Sequence, residues 1–314
     1  MHILITGGAG FIGSQLADFY LGQGYKVTVF DNLSWGKEAF IKHNYANPRF
    51  KFCKLDLLNI KELNMNLPTN IHTIFHLAAN SDIMRGADDP AIDFKNTTQV
   101  TFNLLNAMRL KKIKRIFYTS GSGVYGEVGK VKVPETFGPL FPYSMYGATK
   151  LAAEGMIAAF VNLYDMQAWM IRPANIIGPR ATHGVILDFM NKLKKNPKKL
   201  EILGDGNQNK SYLYITDVID AIDCIWKKEK NKISVYNLAS DSTITVNEIA
   251  KILIKEMSIN EISINHTKGD RGWKGDVPII WLTNDKLNSL GWKCQYSSKE
   301  AVRKTIQVLL SKSL

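Results

Sequence analysis

The chain of 314 residues carries 40 Lys and Arg against 28 Asp and Glu, a formal charge of +12, and is 45% hydrophobic. That composition buries a large core and excludes disordered, collagen-like and fibrous classes. No apolar stretch approaches the roughly 20 residues that a bilayer-spanning helix needs, and the first residues run straight into a strand pattern, so no export signal and no membrane partner are expected.

Taken in order, strand patterns rich in Val, Ile and Phe fall at His2–Thr6, Lys26–Asp31, Phe50–Leu55, Thr73–Leu77, Arg115–Ser120 and Ala168–Arg172. Helical periods lie between them near Phe11–Gly22, Ile92–Leu110 and Tyr146–Tyr164. The alternation predicts an α/β fold, a doubly wound parallel sheet of the Rossmann kind. After Pro173 the regularity weakens, with punctuation at Gly178-Pro179-Arg180 and Gly204-Asp205-Gly206 and a long polar loop from Gly269 to Pro278. Helix Thr216–Lys227 and strand Ser234–Leu238 are expected to return to the main sheet. The expected domains are thus 1–175 with about 216–242, and a smaller ligand lobe of 176–215 and 243–314, interleaved in sequence.

The first strand runs into Gly7-Gly8-Ala9-Gly10-Phe11-Ile12-Gly13 and then a helix, where a pyrophosphate can rest on backbone N–H groups because no Cβ stands in its way. Asp31 closes the second strand 18 residues after Gly13, near the usual interval of about 20, and would accept ribose hydroxyls while repelling a 2′-phosphate. NAD is therefore expected over NADP. Asp56, beside Leu57 at the end of the third strand, is placed to meet the adenine. Tyr146 and Lys150, four apart, share one helix face. A neighbouring ammonium favours the phenolate of a tyrosine whose ordinary pKa is about 10. Just before them, Ser120-Gly121-Ser122-Gly123-Val124-Tyr125-Gly126 offers hydroxyls at the carboxyl edge of the sheet.

These motifs, with His76-Leu77-Ala78-Ala79 and Arg172-Pro173-Ala174-Asn175-Ile176-Ile177-Gly178-Pro179-Arg180, resemble the extended short-chain dehydrogenase/reductases, and within them the NAD-dependent nucleotide-sugar epimerases, UDP-glucose 4-epimerases above all. The resemblance covers essentially the whole chain. It implies Tyr146 as acid and base, with Lys150 orienting the nicotinamide ribose and lowering the phenol pKa. It implies that Asn32, Leu77, Ala78, Ala79 and Pro173 line the cofactor and that Asn96 supports the helix of Tyr146. It also implies that Ser81, Asn175, Tyr212 and Asp276 meet a nucleotide diphosphate sugar, and that the chain forms a homodimer through the helices Ile92–Leu110 and Tyr146–Tyr164.

The sequence departs from the family pattern in three places. Gly121 stands where the family carries a catalytic Ser or Thr, so Ser122, with Ser120 behind it, is expected to supply the hydroxyl. Lys210 replaces an Arg at the diphosphate, keeping the charge but losing the bidentate fork. Trp273 falls where a second phosphate-binding Arg is expected, and Arg271 replaces it only through a shifted loop. Ile280 stands where a bulky aromatic restricts the sugar pocket in some epimerases, which would admit N-acetylhexosamines. A 4,6-dehydratase would need an Asp-Glu pair where Ser122 and Gly123 stand, a ketoreductase using NADPH is disfavoured by Asp31, and a non-catalytic RNA-binding or redox-sensing Rossmann protein would not need Tyr146 with Lys150.

Three widely spaced cysteines, Cys53, Cys224 and Cys294, argue against a disulfide framework or a thiolate metal site and for a cytoplasmic setting. The lysine runs 192–199 and 227–232 lack interleaved aromatics, so they read as a solvated face, and no nucleic-acid partner is expected.

Overall fold

The computed structural model describes residues 1–273 and 275–311. Lys274, within the loop expected between Gly269 and Pro278, lies outside them. In the first half, β1 (His2–Thr6), β2 (Lys26–Asp31), β3 (Phe50–Lys54), β4 (Thr73–His76) and β5 (Arg115–Thr119) are joined by α1 (Phe11–Gly22), α2 (Ile60–Asn66), α3 (Ile83–Asp88), α4 (Pro90–Asp93) and α5 (Val100–Leu110). Then come β6 (Lys132–Val133), α6 (Met145–Tyr164), β7 (Gln167–Pro173), β8 (Asn175–Ile177), α7 (Val185–Lys195), β9 (Lys199–Ile202), β10 (Asn209–Lys210), β11 (Tyr212–Tyr214), α8 (Ile215–Lys228) and β12 (Ile233–Leu238). The remainder is β13 (Ile244–Thr245), α9 (Val246–Glu256), β14 (Ser263–His266), β15 (Ile279–Leu282), α10 (Asp285–Ser289) and α11 (Ser298–Ser311).

One parallel sheet runs in the order β12-β7-β5-β4-β1-β2-β3. Side chains alternate between its faces. Ile3 and Ile5 join a core with Leu16 and Tyr20 of α1 and Ile222 of α8, whereas Leu4 between them joins Leu104 of α5 and Ile157 of α6. Burial on both faces is why these strands read as continuous apolar runs. The strand order reverses between β1 and β4, and the carboxyl ends of those two strands open the crevice where ligands of such sheets bind. Buried His76 ties β4 down, with Nδ1 2.7 Å from Thr6 Oγ1 and Nε2 3.0 Å from Thr101 Oγ1.

The helix expected over Ile92–Leu110 is instead broken. Asp89 caps a short α4 by accepting from Ala91 N at 3.0 Å, with Pro90 at its start, and a π turn over Phe94–Gln99 separates α4 from α5. Thr97 and Thr98 in that turn are β-branched and crowd a regular helix, and Thr101 Oγ1 donates back to Thr97 O at 2.6 Å; a wider turn relieves the crowding. The smaller sheets are β13-β10-β15-β6, β11-β8 and β14-β9. Thr245 and Glu248 form a capping box at the start of α9. Among the described residues no helix is long and apolar enough to cross a membrane.

Candidate active site

After Thr6 the chain turns through Gly7, whose φ is +70°. A Cβ there would stand 2.7 Å from Ala78 N, and one on Gly13 would overlap Gly7 O. Only glycine lets the loop close on β4 and on itself. Gly10, at the N-cap of α1, brings no side chain over the helix start, where N–H groups and the helix dipole attract an anion. Asp31, at the end of β2, accepts from Ala9 N at 2.9 Å and Leu33 N at 2.8 Å; burial pushes its pKa up against those two bonds. A loop without Cβ atoms, an open helix start and a carboxylate at the second strand fit a dinucleotide. Gly7, Gly10, Phe11, Ile12 and Gly13 would hold its pyrophosphate, and Asp31 its ribose.

These residues line a cleft of about 830 Å³, which Asn32, Asp56, Leu57, Leu77, Ala78, Ala79, Asn96 and Pro173 also border. Asp56 is shared: it accepts from Asn32 Nδ2 at 3.1 Å and Leu58 N at 2.8 Å. Asn96 lines the cleft, but its amide donates to Ile92 O at 2.9 Å within its own segment rather than to α6. The link to α6 in that region comes from Thr98 Oγ1, 3.4 Å from Thr149 O.

Ser144 starts α6 by accepting from Gly147 N at 3.2 Å, and the helix then carries Tyr146 to the cleft wall and Lys150 one turn deeper. Lys150 is 3% exposed and donates to Thr119 O at 2.7 Å, its Nζ 5.7 Å from the Tyr146 ring centroid. Burial, and then Asp93, push the Tyr146 phenol up to about 12. Burial pulls Lys150 down to about 7, against the opposing pull of Glu154 and Asp93.

Of the two serines, Ser120 is buried with its Oγ lacking a partner among the described residues, while Ser122 is half-buried; both line the cleft. A Cβ on Gly121 would lie 3.4 Å from Tyr146 Oη, so the residue between the two serines is the one that faces the phenol.

At the other end, Ser81, Asn175, Lys210, Tyr212, Asp276 and Ile280 border the same cleft. Lys210 is ion-paired with Asp276, and Asn175 Nδ2 donates to Ser211 O at 3.1 Å. Arg271 is not among the lining residues. It donates to Asp276 O at 2.7 Å and to Glu127 Oε1 at 2.8 Å, with its guanidinium 4.6 Å from the Tyr143 ring centroid.

Reading the sequence misses Glu154 and Asp93. Glu154 had a signal, standing one helical turn after Lys150; its carboxylate takes Arg172 Nε at 3.0 Å and Nη2 at 2.6 Å, while Nη1 reaches the Tyr125 hydroxyl at 3.0 Å. Buried Asp93 has no such signal, because only the fold brings its segment behind Lys150.

Known proteins are similar to this chain over its whole length. A UDP-glucose 4-epimerase of Mycolicibacterium smegmatis is 30% identical over 319 residues, spanning 100% of both chains. The crystal structure of a UDP-glucose 4-epimerase from Thermotoga maritima with UDP-glucose superposes over 100% of both chains with a TM-score of 0.89 at 29% identity. One from Thermus thermophilus in complex with NAD covers 98% of each chain with a TM-score of 0.85 at 26% identity. Residues 3–239, which include the glycine loop, Tyr146 and Lys150, match the model of the NAD dependent epimerase/dehydratase family, and the chain belongs to that family, with NAD as its cofactor.

Proposed function

We propose that the protein is a nucleotide-sugar 4-epimerase that interconverts UDP-glucose and UDP-galactose through a 4-keto sugar. The observation that carries this reading is Tyr146 at the cleft wall with Lys150 buried one turn behind it, in the same cleft as the glycine loop and the buried Ser120 hydroxyl. When bound, NAD supplies the acceptor and donor of a hydride and a positively charged ring. Tyr146 takes the proton of the sugar 4-hydroxyl and returns it after the ketone has turned over. Its phenol, held near 12 by burial, needs positive charge to act near neutrality, and the Lys150 ammonium provides it. Ser120 donates to the same sugar oxygen; its buried hydroxyl, without a partner among the described residues, makes it the stronger candidate of the two serines.

The positions directly before Val124-Tyr125-Gly126 are Ser122 and Gly123, which favours epimerisation over 4,6-dehydration because no carboxyl pair stands there to move protons at C5 and C6. Asn175 and the Lys210–Asp276 pair hold the nucleotide diphosphate, and Arg271 joins them by exchanging Glu127 for phosphate. Ile280 leaves room for an N-acetyl group. The lobe of residues 176–215 and 243–311 closes over the sugar, while 1–175 and about 216–242 hold the cofactor. Half-buried free cysteines fit a cytoplasmic protein. The test is incubation of the protein with UDP-, GDP-, CDP- and dTDP-hexoses and UDP-N-acetylhexosamines. Inversion at C4 without net nicotinamide absorbance change supports the reading; a keto-deoxy product replaces it with dehydration.

A further inference from the structure

Asp93 ends α4 with none of its surface exposed. Its Oδ1 accepts from Asn80 Nδ2 at 2.8 Å. The same amide nitrogen donates to Asp82 O at 2.8 Å, and Asn80 Oδ1 accepts from Asp82 N at 3.1 Å, so the amide is fixed in orientation one residue beyond Ala79. Asp93 Oδ2 has no hydrogen-bond partner among the described residues. It lies against Gly86, where a Cβ would overlap it, so the carboxylate has little freedom to seek another donor.

A carboxylate so placed costs several kcal/mol unless an opposite charge faces it. The charged groups around it are Lys150 from α6, whose ammonium favours the carboxylate from beyond direct ion-pair distance, and Asp82 from the cleft loop, which opposes it. Lys150 needs a counter-charge as much. Facing its ammonium are Asp93, Glu154 on its own helix, and His76 on β4; the Tyr118 and Tyr146 rings lie 5.0 and 5.7 Å away by centroid. Glu154 spends both oxygens on Arg172. His76, held down to about 3 by burial and then by Lys150 itself, is neutral. Of the two carboxylates, only Asp93 carries a buried oxygen without a partner among the described residues.

We propose that Asp93 is the counter-charge of Lys150 and a positioning residue for the Tyr146–Lys150 pair, set behind that pair at the point where α4 enters the π turn. Its action on turnover rests on Tyr146 being the base; its pairing with Lys150 does not.

Asp93→Asn removes a negative charge from the surroundings of both the phenol and the ammonium, so both lose their protons more readily. The rising and falling limbs of the pH–rate profile, which belong to the Tyr146–Lys150 pair as a unit, both move to lower pH, by about one unit. A plateau that drops while both limbs stay in place marks a structural role only and overturns the proposal. A second measurement needs no turnover. Lys150→Met strands the Asp93 carboxylate, so the Asp93→Asn/Lys150→Met double variant melts at a higher temperature than Lys150→Met alone. A double variant melting at or below Lys150→Met refutes the pairing, whether or not the protein proves to be an epimerase and whether or not Asp93→Asn folds by itself.

Discussion

Lys150 illustrates how a single buried charge links folding to chemistry. Its folded pKa of about 7 lies below the 10.5 of a free lysine, so between those values the unfolded chain binds the extra proton. Stability of the NAD-free protein therefore rises with pH from about 7 towards 10, by a few kcal/mol. Above that range Tyr146, whose pKa is raised, acts with the opposite sign. Denaturant midpoints measured across this window show the rise in the wild type and a flatter profile in Lys150→Met; an equal slope in both would place the titration elsewhere. The two serines separate at the same scale. Ser120→Ala lowers turnover about 10-fold or more, whereas Ser122→Ala leaves it within about 3-fold, and steady-state kinetics showing the reverse order would return the hydroxyl to Ser122.

The elements that place these residues differ in how plainly the sequence announces them. β1 with its glycine loop and Asp31 is legible because each step is local: a strand, a turn that excludes Cβ atoms, a helix and a second strand end. The pairing of Tyr146 with Lys150 is legible from helical spacing. The π turn over Phe94–Gln99 is not, since apolar periodicity continues through it from Ile92 to Leu110 and the threonines that open it are ordinary surface residues in sequence. Arg271 is hidden for another reason: its engagement by Glu127 and Tyr143 joins segments more than 120 residues apart. The close approach of α6 to the turn before it is likewise tertiary. A Cβ on Gly147 would overlap Gly123 O, so Gly147→Ala forces the helix away from the turn at a cost of about 1–3 kcal/mol, and shifts Tyr146 with it. Thermal unfolding and turnover both fall; a variant unchanged in both would mean the contact is dispensable.

Across the whole molecule, two features extend beyond one cleft. Phe102 and Leu110 on α5 and Leu163 on α6 are 48%, 56% and 71% exposed, an apolar grouping on neighbouring helices that suits pairing with a second copy. Sedimentation at micromolar concentration is expected to give a dimer that Phe102→Glu/Leu163→Glu dissociates, and a monomeric wild type would overturn that expectation. The second feature is the convergence of both halves of the chain on the cleft, to which the parallel sheet and its loops contribute the glycine loop and Asp31 and β8, β10 and β15 contribute Asn175, Lys210 and Ile280. An enzyme that returns its hydride to the same sugar needs cofactor and sugar held in one cleft.

The most direct measurement is the rate at which purified protein converts UDP-glucose to UDP-galactose, compared with Tyr146→Phe under the same conditions. The account predicts inversion at C4 with no net change in nicotinamide absorbance, and a loss of about 10²- to 10⁴-fold in the variant with dinucleotide binding intact. A Tyr146→Phe enzyme that inverts the sugar at the wild-type rate would contradict it.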